Sequence, residues 1–140
     1  MTSDEQHASA LREWARGSTT LAAATELLIR SGFAQEGRPW VRYDEQHQRP
    51  WIAFDEIPDL IGVMSGGEKR LLSIAASLGG STSIVLADEV AGLDRLRAEL
   101  VSIAIIHAAG FAEPTIDFVD GDDQPIEVPP LASWPDVSAR

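Results

Sequence analysis

Histidine is the first side chain to weigh for chemistry, because imidazole exchanges protons near neutral pH and ligates metals. The chain has three, His7, His47 and His107, and they lie far apart in sequence. None has a second histidine or a glutamate at the spacing of H-E-x-x-H, so no metal site is predicted around them. His107 falls on the apolar face of a predicted helix and reads as a core or boundary residue. Cysteine is absent, which excludes disulfides, thiolate nucleophiles and cysteine-based zinc or iron–sulfur sites. No G-x-S-x-G elbow is present for serine catalysis. Asp117, Asp120, Asp122 and Asp123 offer the oxygen ligands that calcium takes, but they depart from the D-x-[DN]-x-[DN]-G spacing. A solvated hairpin turn is expected there. No catalytic set, metal or cofactor is therefore expected.

Aromatic and cationic residues point instead to recognition. Arg38-Pro39-Trp40-Val41-Arg42-Tyr43-Asp44-Glu45 recurs as Arg49-Pro50-Trp51-Ile52-Ala53-Phe54-Asp55-Glu56. Each copy has an aromatic and β-branched centre between a proline and an acidic pair, the pattern of a short strand bounded by turn residues. Residues two apart share a face of a strand. Val41, Tyr43, Ile52 and Phe54 are all apolar or aromatic and are assigned to the core. Trp40, Arg42 and Trp51 fall on the other face, which is nominated as a half-exposed protein-binding surface, since Trp and Arg are enriched among binding hot spots.

Phosphate chemistry is the remaining candidate. A P-loop needs G-x-x-x-x-G-K-[ST]. Gly62 to Gly67 has the glycine spacing, but Glu68 stands where the phosphate-binding lysine belongs and Arg70 where the magnesium-binding hydroxyl belongs. Met64-Ser65-Gly66-Gly67-Glu68-Lys69-Arg70 nevertheless resembles the signature motif of the ABC ATPase superfamily, most closely its chromosome-maintenance and DNA-repair branches. Ile84-Val85-Leu86-Ala87-Asp88-Glu89 resembles a Walker B strand, and Ala91-Gly92-Leu93-Asp94 the D-loop that follows it. The resemblance covers about 30 residues and implies a nucleotide-binding fragment. Ser65 and Gly67 would touch a γ-phosphate in trans, Asp88 would hold Mg²⁺, and Glu89 would polarise the water. Val90 replaces the proline that follows the acidic pair in that family, and the 61 residues before Gly62 leave no room for the missing lobe. The same residues also have a purely structural explanation, as helix caps and a glycine approach, and the match is treated as coincidental.

These residues must be positioned by short elements. A helix is predicted from Ser3, with Gln6 at capping-box spacing, to Gly17. A second is predicted over 20–31, ended by Gly32 with Phe33 folding back in a Schellman stop. The Arg-Pro-Trp repeat forms a hairpin, and Asp55 is placed to cap a short helix through Ile57, Leu60 and Ile61. Ser65 and Glu68 open a stronger helix with a buried stripe of Leu71, Ile74, Ala75 and Leu78. The apolar run 83–86 reads as a strand. Asp94 caps the last helix, whose apolar stripe is Leu96, Leu100, Ile103 and His107. A weaker hairpin joins 115–119 to 124–128 through an Asp-Gly turn. The order of these segments is similar to that of small bacterial proteins with no assigned activity, and the likeness implies no activity here.

Composition bounds the partners. The chain has 140 residues, 22 acidic against 11 basic, for a net charge of −11. Such a charge repels nucleic acid and anionic membranes unless a basic patch overrides it. Residues 113–140 hold seven acids against Arg140 alone, and five of the eight prolines. No secretory leader or membrane span is predicted, so a cytoplasmic protein is expected. The expected fold is α+β and mostly α-helical, with four to five helices, one short hairpin and a weaker C-terminal one. Residues 1–112 form the globular domain, and 113–140 an acidic, proline-rich segment able to pack on it. The expected function is a non-enzymatic protein-interaction or regulatory module with an unknown protein partner. The alternatives are a degenerate ABC-type nucleotide-binding fragment and an acidic, antitoxin-like inhibitor of a basic protein. The oligomeric state is left open.

Overall fold

The computed structural model describes residues 2–118, 121 and 123–135. Helices α1 (Ser3–Trp14) and α2 (Thr19–Ser31) are followed by strands β1 (Val41–Asp44) and β2 (Arg49–Ile52). A 3-10 turn at Phe54–Glu56 runs into the short α3 (Ile57–Leu60). Then come α4 (Gly66–Gly79), α5 (Leu86–Val90), α6 (Arg95–Ala108), β3 (Thr115–Phe118) and β4 (Pro125–Val128). The fold is α+β and mostly helical, with two antiparallel hairpins, as the sequence predicts.

Helix α2 is the centre of the fold. A surface helix buries one stripe, but α2 is buried continuously from Ala23 to Leu28 because α4 and α6 both pack on it. Its alanines let these neighbours approach closely. Leu27 and Leu28 meet Leu71, Leu72 and Ala75 of α4 and Leu100, Val101 and Ala104 of α6 in one core cluster. Helix α1 lies against β2 and adds Leu11.

The helix ends follow local chemistry. Ser65 Oγ accepts from Glu68 N, Asp94 Oδ1 accepts from Arg97 N, and Gly32 takes the left-handed conformation (φ 85°) while Phe33 N donates to Leu28 O at 2.8 Å. Four expectations are corrected. The capping box of α1 is Thr2 with Glu5, one residue earlier than predicted. Asp55 does not cap α3. Its Oδ1 accepts instead from the backbone N–H and hydroxyl of Ser81, anchoring the chain beyond α4. The run 83–86 finds no partner strand among the described residues and leads into α5. Leu96 is exposed at the start of α6, and the buried stripe is Leu100, Val101, Ile103 and Ala104.

The first hairpin pairs Val41 with Ile52, Arg42 with Trp51 and Tyr43 with Pro50. The second pairs Thr115 with Val128, Ile116 with Glu127 and Asp117 with Ile126. Beyond β4, Leu131 N donates to Phe111 O at 2.9 Å, and Trp134 packs against the core cluster. Among the described residues no helix is long and apolar enough to cross a membrane.

Candidate functional site

The aromatic repeat does not build the surface expected of it. Trp40 precedes β1 and is 1% exposed, with its Nε1–H donated to Phe33 O at 2.7 Å. The expectation that Trp40 lies on a half-exposed face is therefore corrected. Trp51 is half-buried beside Trp14, ring centroids 6.5 Å apart. Arg42 is exposed and committed to the Pro39 carbonyl and to Glu56 Oε1 at 3.0 Å. Tyr43, expected in the core, is 61% exposed because it borders an open cleft beside α1. A cleft of about 720 Å³ opens between β1 and the first half of α1, and Arg42 and Tyr43 line it while Trp40 and Trp51 do not.

The histidines are used structurally. His7 Nε2 lies 2.8 Å from Ala34 O, so that nitrogen carries the proton, and Nδ1 is 3.5 Å from Glu36 Oε1. His47 Nδ1 is 2.7 Å from Asp44 Oδ2, a contact that holds the Asp44 carboxyl below its ordinary value. His107 Nδ1 accepts from the indole of Trp134. Among the described residues no three His, Asp or Glu side chains gather as a metal would need. Asp120 and Asp122 lie outside the described residues.

The nucleotide-binding set divides in two. The Ser65 hydroxyl is engaged at the helix cap, where it donates to Glu68 Oε1 at 2.7 Å and holds that carboxyl below its ordinary value. Gly67 sits beneath the Arg97 guanidinium, where an added Cβ would come within 3.2 Å of Nη1. Asp88 and Glu89 belong to α5, not to the end of a strand. They face Gly66, Lys69 and Arg70 across a groove of about 440 Å³ whose floor includes Ile61. Ser65 and Gly67 do not line it.

The largest unexplained feature is at the C-terminal end. Strands β3 and β4 form a two-stranded sheet with no third strand among the described residues. Opposed residues of an antiparallel pair share a face, so Ile116 and Phe118 lie on one side and Ile126 and Val128 on the other. All four are exposed, Ile116 at 63% and Phe118 at 62%. The base of this arm is fixed. Phe111 and Leu131 are joined at its root, Trp134 docks on His107, and Arg30 Nη1 donates to Pro135 O at 2.6 Å. The alternation of apolar and polar residues in 115–118 and 125–128 was the available sequence signal. That alternation predicts a hairpin but not its exposure, and nothing in the local pattern singles out these residues, or Lys69, Arg70 and Ser73 of the groove, as a site.

Comparison with protein families, with curated proteins and with solved structures finds no match to this chain.

Proposed function

We propose that the chain is a non-enzymatic protein-interaction module that presents its C-terminal β3–β4 arm to a basic protein. The observation that supports this reading most is the arm's uncovered apolar residues on both faces. An isolated two-stranded hairpin is marginal in water and gains stability by packing on a third element. Contiguous exposed apolar surface is characteristic of interaction sites. Charge then selects the partner. Residues 113–140 carry seven acids and one base, so a basic surface is attracted, whereas a second copy of the arm would bring like charges together. The acidic-inhibitor alternative is a special case of this reading, with the arm as the masking element. Trp51 and Arg42 are secondary contacts, set apart from the arm.

The test is photo-cross-linking in the cells that make the protein, from a reactive side chain at position 118 and, as a control, from position 63. Val63 is fully exposed and belongs to the connection between α3 and α4, outside the arm. The expected result is a discrete adduct with a basic protein from position 118 only, whose yield falls as ionic strength rises. No adduct, or the same adduct from both positions, overturns the proposal.

A further inference from the structure

The groove between the α3 end, α4 and α5 has opposite charges on its two walls. Gly66, Arg70 and Ser73 recur along one face of α4 at i, i+4 and i+7, with Lys69 beside them. Asp88 and Glu89 of α5 form the facing wall. None of the side chains of Lys69, Arg70, Ser73, Asp88 and Glu89 makes a hydrogen bond or ion pair among the described residues. Glycines shape the site: a Cβ on Gly92 would come within 2.3 Å of the Arg70 guanidinium, and one on Gly66 within 3.0 Å. A side chain at Gly92 would force the Arg70 guanidinium to move, and one at Gly66 would crowd it. Helix α5 contributes no buried residue, so core burial within that helix does not explain why its acids face α4. The chain on either side is held by Ile84 and Leu93, which pack against the core.

An anion alone would meet Lys69 and Arg70 but be repelled by Asp88, Glu89 and the net charge of the chain. A cation alone would meet the acids but face two positive side chains. A molecule carrying both charges satisfies both walls, and a groove of this volume falls in the range of small-molecule sites. We propose that this groove binds a small amino-acid-like zwitterion, with its carboxylate toward Lys69 and Arg70 and its ammonium toward Asp88 and Glu89. Ser73 supplies a hydroxyl between the two walls. The site is independent of the β3–β4 arm and of any partner bound there.

The test is a titration of the full chain, followed by amide NMR, with unbranched amino acids of increasing length from glycine to aminohexanoate. Each probe is paired with its N-acetyl form, which keeps only the anion, and its amide, which keeps only the cation. One length should shift the amides of Lys69, Arg70, Ser73 and Asp88, and bind at least about tenfold more tightly than either single-charge form, the cost of one lost ion pair. Lys69→Gln and Glu89→Gln, both at solvent-accessible positions, should each weaken it by a similar factor while leaving the rest of the spectrum unchanged. Gly92→Ala, which displaces Arg70, should do the same. Binding of the N-acetyl form as tightly as the zwitterion, shifts confined to another surface, or no saturable shift at millimolar probe overturns the proposal.

Discussion

The indole Nε1–H of Trp134 donates to Nδ1 of His107 at 3.1 Å, joining side chains 27 residues apart and closing the base of the β3–β4 arm onto α6. The rings meet edge to face with centroids 6.1 Å apart, and the Arg30 guanidinium lies 5.9 Å from the Trp134 ring centroid. His107→Ala removes the acceptor. The unfolding free energy should fall by about 0.5–1.5 kcal/mol, the net worth of one hydrogen bond. Hydrogen exchange in 115–118 and 125–128 should accelerate while that of α2 should not. Unchanged arm protection would show that the contact does not hold the arm.

Glu26 is the charge that orders the same region from beneath. It is 7% exposed, accepts two hydrogen bonds from Arg12 at 2.8 and 2.9 Å, and accepts a third from Arg30 at 2.7 Å. Burial by itself would raise its pKa, but the bonds from Arg12 and Arg30 outweigh burial and hold it below the ordinary glutamate value. A carboxyl with a depressed folded pKa stabilises the fold fully above its unfolded value and loses that contribution as pH falls through the folded one. Stability should therefore decline on the acid side of the ordinary glutamate range. Glu26→Gln should flatten that decline and cost about 2–3 kcal/mol at neutral pH. That is less than the loss of a wholly buried pair, because Arg12 and Arg30 keep access to water. An acid limb identical in the wild type and Glu26→Gln would contradict this assignment.

Trp40→Ala should cost about 3–5 kcal/mol in urea unfolding, as truncation of a large buried aromatic does. Phe54→Ala should cost a similar amount, since Phe54 is equally enclosed and packs so closely on Gly79 that a Cβ added there would lie 2.7 Å from its ring. A Trp40→Ala variant as stable as the wild type would place that ring outside the core.

The helix ends were legible because capping is local chemistry. Ser65, Asp94 and the Gly32–Phe33 stop each act within a few residues. The faces of the first hairpin were less legible. Strand parity does not extend to Trp40, because β1 begins at Val41 and Trp40 turns inward to the Phe33 carbonyl, a contact set by the end of α2. Val41 and Ile52 do face inward, but Phe54 reaches the core from a 3-10 turn. The strand expected over 83–86 is absent for a similar reason. A strand needs a partner strand, and among the described residues the topology offers 83–86 none. The groove and the arm depend on which elements meet and which remain uncovered, a relation between distant segments that local periodicity does not carry.

The most direct measurement is the unfolding free energy of the double variant Ile116→Ser/Phe118→Ser, taken together with cross-linking from position 126. If the arm's apolar residues serve a partner, stability should change by no more than about 0.5 kcal/mol, as for surface substitutions, and the adduct should be lost. A loss of several kcal/mol, or an adduct that survives both substitutions, would show that these residues belong to the fold's own core or that the arm is not the docking surface.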